Sequence, residues 1–148
     1  MKTILQRVSE AEVAVDGMVI SRIGRGFLVL LGVSGTDTER DAEALAAKIA
    51  KLRVFPDENG KSNLSVSDIG GELLVVSQFT LYADARKGNR PSFTDSAPPE
   101  LANALYEHFV KYCEGKFKKV GTGSFGASME VRLVNDGPFT IILEVPHV

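Results

Sequence analysis

At 148 residues, with 44% hydrophobic and 24% charged side chains, the chain has the length of one ordinary domain and enough apolar material to bury a core. Those proportions exclude disorder, collagen and a coiled coil, so a single domain over residues 1–148 is expected. Seventeen Lys and Arg against nineteen Asp and Glu leave a formal charge of −2, so nucleic acid would have to be held locally and not by the whole surface.

In chain order, Ile4, Gln6 and Val8, then Val13 and Val15, read as strand, and Asp16-Gly17 is a two-residue hairpin signal before Met18-Val19-Ile20. Gly24-Arg25-Gly26 punctuates the chain. The apolar run Phe27 to Val33 has the length of a strand buried on both faces. From Thr38, the spacing of Leu45, Ile49 and Leu52 predicts an amphipathic helix that Asp37 or Thr38 can cap, ending before Phe55-Pro56. A turn-rich loop, Asp57 to Gly60, follows. Glu72 to Phe79 reads as a second buried strand that turns polar at its end. A long loop from about Ala83 to Pro99 carries Lys87, Arg90, Pro91 and Phe93, a length that points to function. Pro98-Pro99 then opens a second helix with Leu101, Leu105, Phe109 and Tyr112 on one face. After the basic Lys116 to Lys119, two strands are expected, Met129 to Val134 and Phe139 to Val145, joined by a turn at Asn135-Asp136-Gly137-Pro138. Hairpin-like pairs with two helices predict an α+β fold whose mainly antiparallel sheet is curled towards a barrel.

Much standard site chemistry is missing. The one cysteine, Cys113, has no disulfide partner, and a small buried hydrophobe is its expected role. His108 and His147 lie far apart, and no metal-ligand spacing occurs, so neither metal nor cofactor is expected. Neither histidine has a sequence neighbour that would orient it as a base. Gly121, Gly123 and Gly126 are spaced like a dinucleotide loop but precede a strand instead of opening a helix. The polar opening Met-Lys-Thr-Ile-Leu-Gln-Arg and the lack of a long apolar run lead to the expectation of a cytoplasmic protein with no membrane partner.

Four segments could carry chemistry. Ser77-Gln78-Phe79-Thr80-Leu81 places hydroxyls and an amide where a strand gives out: Thr80 could be a nucleophile beside an oxyanion hole of backbone N–H groups, or the hydroxyls simply satisfy local backbone. Gly137-Pro138 is by default a turn, yet the pair could form a rigid main-chain wall. Lys87 to Phe93 could meet a phosphate and stack on a base, or be a solvated loop anchored by Phe93. Phe125-Gly126-Ala127-Ser128-Met129 could sandwich an adenine or belong to the core. Arg7 is expected outward on an edge strand, where most arginines are solvated.

Together these segments resemble the D-aminoacyl-tRNA deacylases. Ser77 to Leu81 and Asn135-Asp136-Gly137-Pro138-Phe139-Thr140 are similar to that family's two signatures, and Gln6-Arg7-Val8, the Lys87 to Phe93 loop, Phe125 to Met129 and the overall length extend the likeness to bacterial members over essentially the whole chain. The resemblance implies hydrolysis of the ester between a D-amino acid and the terminal ribose of tRNA, and also of glycine mischarged on alanine tRNA. It implies a homodimer in which a cis Gly137-Pro138 enters the partner's pocket and excludes L side chains. It further implies that Arg7 helps hold that wall and that Phe125 and Met129 line the substrate site. For Ser77, Gln78, Phe79 and Thr80 it leaves two routes: Thr80 as nucleophile, or water attack assisted by the substrate's 2′-hydroxyl with Phe79 and Thr80 N–H groups as oxyanion hole. The other readings are a non-catalytic module that binds the tRNA end, and a related deacylase tuned to L-alanine.

Overall fold

The computed structural model of the chain describes residues 1–146, so His147 lies outside the described residues. The strands are β1 (Lys2–Val15), β2 (Met18–Ile23), β3 (Gly26–Gly32), β4 (Phe55–Pro56), β5 (Ser62–Leu64), β6 (Glu72–Ser77), β7 (Val120–Thr122) and β8 (Glu130–Glu144). Two helices, α1 (Glu39–Lys51) and α2 (Pro99–Glu114), connect β3 to β4 and β6 to β7, and a short 3-10 helix, Phe79–Tyr82, follows β6.

β1 organises the sheet. Its first half, Lys2 to Val8, pairs with β3 and its second half, Ala11 to Val15, with β2 on the same edge, while β8 runs antiparallel along the other. The sheet order β2-β1-β3-β6-β7 continues through two parallel pairings, β3 with β6 and β6 with β7. The sheet is mainly antiparallel, as expected, and these two parallel pairings make it mixed. Parallel neighbours need long crossovers, which α1 and α2 supply. The ends of the sheet curl together at Gly121, where a Cβ would lie 2.3 Å from the Ser21 hydroxyl of β2. Only glycine lets β7 and β2 come that close.

Residue alternation divides the interior in two. On β3 and β6, Phe27, Val29, Leu31, Leu73 and Val75 face the helices and join Leu45, Ile49, Leu105 and Phe109. Leu28, Leu74 and Val76 face the opposite way, into the barrel with Val8, Val13 and Ile23. This accounts for the uninterrupted apolar run of β3. Thr38 opens α1, its N–H donating to the Asp41 carboxylate at 2.7 Å, and Pro99 occupies the first turn of α2. Between the helices, His108 Nε2 lies 3.0 Å from Glu43 Oε1, so this histidine does have a partner and serves a helix contact.

Two further expectations are corrected. The strand predicted to reach Phe79 stops at Ser77, because Leu81 N–H and Ala83 N–H bond back to the Gln78 and Thr80 carbonyls and curl the chain. The two C-terminal strands are one, β8, which keeps its direction through Asn135 to Pro138. Gln6 faces Thr140 and Val8 faces Asn135, so four residues of β8 bulge outward opposite Arg7 alone.

Candidate active site

β6 delivers Gln78 to the rim of the sheet, where its N–H donates to the Leu31 carbonyl at 2.8 Å. The chain then turns into the 3-10 helix, and the Phe79 and Thr80 N–H groups at its start have no acceptor among the described residues. Ser96 Oγ, from the long loop, donates to the Phe79 carbonyl at 3.0 Å and so fixes the peptide plane that carries the Thr80 N–H. Phe79 is half exposed and meets Phe93 edge to face, centroids 5.0 Å apart.

These residues border a cleft of about 590 Å³, a size ordinary for a small-ligand site. Ser77, Gln78 and Phe79 form one wall, Phe93, Pro99 and Ala102 another, and Phe125, Ala127 and Met129 the apolar end. Phe125 leans on Tyr106 at 6.1 Å between centroids, and Tyr106 is itself held by a 2.8 Å bond from its hydroxyl to the Val75 carbonyl. Met129 Sδ accepts the Ser124 N–H at 3.3 Å. Three of the four segments singled out in the sequence thus converge. Every side chain lining the cleft is non-ionisable. Thr80 is exposed at its edge and outside the lining, and its Oγ1 accepts a hydrogen bond from Gln78 Nε2.

The fourth segment lies elsewhere. Gly137 and Pro138 crown the β8 bulge, joined by a cis peptide, exposed and absent from the cleft lining. Asn135 staples the neck of the bulge, its Nδ2 donating to the Arg7 carbonyl at 2.9 Å and the Phe139 carbonyl at 3.0 Å. Arg7 holds the crown: Nε donates to the Asp136 carbonyl at 2.9 Å, Nη1 to the Val54 carbonyl at 2.6 Å, and the guanidinium lies 4.7 Å over the Phe139 ring. Gly137 has φ +138, and a Cβ there would stand 2.9 Å from the Phe139 nitrogen. The expectation for Arg7 is corrected. β1 is paired on both edges, and the Arg7 side chain is only 11% exposed.

Cys113 is fully buried, its thiol pushed up to about 12 by desolvation. Among the described residues, no group of three or more His, Cys, Asp or Glu could hold a metal ion. Among the described residues, no helix is long and apolar enough to cross a membrane. Sequence reasoning missed Ser96, the Val54 carbonyl and the stapling role of Asn135, for which the sequence held only generic signals: a serine in a long loop, and an Asn next to Asp-Gly-Pro.

Comparison with known proteins adds a family. The model of the family described as D-Tyr-tRNA(Tyr) deacylase matches residues 4–144. A D-aminoacyl-tRNA deacylase of Thermosipho africanus is 56% identical over 144 residues, covering 97% of both chains. One from Roseiflexus castenholzii is 59% identical, covering 97% of this chain and 92% of its own. Of the solved structures, a c-Myc DNA unwinding element binding protein superposes with a TM-score of 0.94 at 46% identity over 99% of both chains. A probable eukaryotic D-amino acid tRNA deacylase shares the fold at TM-score 0.85 and 16% identity, over 96% of this chain and 97% of that one.

Proposed function

The chain belongs to the D-Tyr-tRNA(Tyr) deacylase family, and from that premise we propose that it hydrolyses D-aminoacyl-tRNA to free D-amino acid and tRNA, acting in the cytoplasm as a chirality proofreader. The observation that carries this reading is a cleft with no ionisable lining and an apolar aromatic-thioether end, lined by Phe79, whose N–H and that of the next residue, Thr80, have no acceptor among the described residues. Phe125 and Met129 receive the terminal adenine. The ester carbonyl lies against the Phe79 and Thr80 N–H groups, which stabilise the oxyanion as water adds. The bond from the carbonyl carbon to the ribose oxygen then breaks, and that oxygen takes the proton.

Of the two routes, assistance by the substrate's 2′-hydroxyl fits better than a Thr80 nucleophile. A threonine needs a base to take its proton, the cleft lining offers none, and the Thr80 oxygen already accepts from Gln78. An aminoacyl ester is labile enough that polarisation of its carbonyl, with a water activated by the substrate's 2′-hydroxyl, suffices without an activated side chain.

Selectivity is assigned to Gly137-Pro138 of a second copy. The crown of the bulge is exposed and lies outside the cleft lining of its own chain, so a homodimer that brings it to the partner's cleft would place main chain where an L side chain would go. Val134 and Ile142, exposed on β8 to 50% and 67%, and the unpaired outer edge of that strand favour such an association. Glycine carries no side chain for the wall to reject, so glycine mischarged on alanine tRNA is included.

Incubation with D-Tyr-tRNA, L-Tyr-tRNA and glycyl-tRNA(Ala) tests the proposal. Release from the first and third with the second intact is expected, and absence of D-selective release overturns it. A monomer by sedimentation with full D-selectivity would remove the cross-subunit wall alone.

A further inference from the structure

The long loop after the 3-10 helix is built as a closed lobe. Asp84 and Ser92 exchange both backbone hydrogen bonds at 2.8 Å, fixing the neck, and residues 85–91 project beyond it. Of its three cations, Arg86 is neutralised within the lobe: its guanidinium bonds Asp84 at 2.8 and 2.7 Å, and Asp95 lies near it as well. Lys87 and Arg90 are exposed and have no ion-pair partner among the described residues. Between them Gly88 has φ +129, and a Cβ there would meet nothing within 4 Å, so the tip offers bare backbone between two free cations.

The lobe is anchored to the cleft by Phe93, one residue past its neck, which packs on Phe79. Arg90 stands three residues from Phe93 and Lys87 six, so their backbones are within about 10 and 20 Å of it along the chain. The Lys116 to Lys119 run, the chain's other basic cluster, is placed differently. α2 touches the cleft at Pro99 and Ala102, and this run follows its far end, about 24 Å away for 16 residues. There Lys119 Nζ donates to the Arg22 carbonyl and Lys116 lies over the Tyr112 ring.

We propose that Lys87 and Arg90 form a two-phosphate grip on the single-stranded RNA segment leading to the acylated end, and that the Lys116 to Lys119 run takes no part. This rests on the deacylase reading above. Two free cations on a lobe anchored to the cleft by Phe93, on a chain of net charge −2, suit a short run of phosphodiesters better than a helical stem, which would meet many charges at once.

The test compares wild type, a Lys87→Ala/Arg90→Ala variant and a Lys116→Ala/Lys118→Ala variant, using uncharged tRNA for binding, and D-Tyr-tRNA and 3′-O-D-tyrosyl-adenosine for hydrolysis. The near variant should bind tRNA about tenfold or more weakly at low salt, with the slope of log affinity against log salt flatter by about 1.4, or 0.7 per single-strand contact. Its KM for D-Tyr-tRNA should rise with kcat unchanged, and the adenosine ester should be hydrolysed as by wild type, which also shows the variant folded. The far variant should keep the wild-type slope. An unchanged slope in the near variant, equal loss on the adenosine ester, or a flatter slope in the far variant overturns the proposal. Lobe-dependent tRNA binding by a wild type that cleaves neither ester would support the grip and sink the deacylase reading.

Discussion

Arg7 and Asp136 are joined through both main chain and side chain: Arg7 Nε donates to the Asp136 carbonyl at 2.9 Å and lies 3.4 Å from its Oδ2. The same guanidinium reaches the Val54 carbonyl at 2.6 Å, tying the β8 bulge to the segment after α1. Arg7→Ala should leave two carbonyls without a donor and cost about 2–4 kcal/mol in urea denaturation. Arg7→Lys should recover less than half of that, because one ammonium cannot reproduce the fork. On the proposed reading, L-Tyr-tRNA hydrolysis rises in both variants. Wild-type stability and selectivity in Arg7→Ala would mean that the bulge holds its shape without the clamp.

The two catalytic routes separate at Thr80. Thr80→Ala should keep activity within about tenfold of wild type, while a D-aminoacyl substrate ending in 2′-deoxyadenosine should lose about 10²-fold or more, the usual worth of a positioned proton-transfer group. Near-complete loss in Thr80→Ala with retention in Thr80→Ser would restore the nucleophile. Single-turnover rates give both numbers.

Gly123 sets the position of Met129, since a Cβ there would lie 2.6 Å from its sulfur. The thioether is flexible and the cleft is beside it, so Gly123→Ala should turn Met129 into the cleft and leave the fold standing. The expected result is a KM for the adenosine ester raised several-fold at nearly constant kcat. Adding Met129→Ala should relieve it only in part, since the thioether's own contact with the adenine is then lost, and a KM unchanged in Gly123→Ala would show that Met129 does not border the adenine.

Two buried groups predict alkaline instability. Burial raises the Cys113 thiol from 9.0 to about 12 and the Tyr106 hydroxyl from 10.0 to about 12. Above about pH 9 the unfolded chain gives up these protons while the folded chain keeps them, so stability falls as pH rises from 9 towards 12. Urea midpoints at pH 8, 9.5 and 10.5 should decline in that order, with a shallower decline in Cys113→Ala. The thiol should react with a disulfide reagent only in denaturant. Rapid labelling of native protein would contradict its burial.

The local elements are legible in the residues that form them. Asp16-Gly17, the Leu45 and Ile49 spacing and Pro98-Pro99 mark a hairpin and two helices, because turn conformation, amphipathic period and missing N–H groups are properties of a few adjacent residues. Two histidines and one cysteine leave few side chains for acid–base or nucleophilic chemistry, and neither His108 nor Cys113, the two among the described residues, is in the cleft lining. What stayed hidden depends on contacts between residues far apart. Asn135 to Pro138 has the composition of a turn, and only β1, pairing with β8 on both sides of it, makes it a bulge in one strand. Arg7 reads as an exposed arginine until Val54 and Asp136, 47 and 129 residues away, supply its acceptors. Lys87 and Lys116 look equivalent in a list of charges, and only the tertiary structure ties the loop of the one to the cleft through Phe93 and puts the other past the far end of α2. Sequence spacing specifies the units. Separation in space, set by how the long bent β1 gathers β2, β3 and β8, decides which of them share a site.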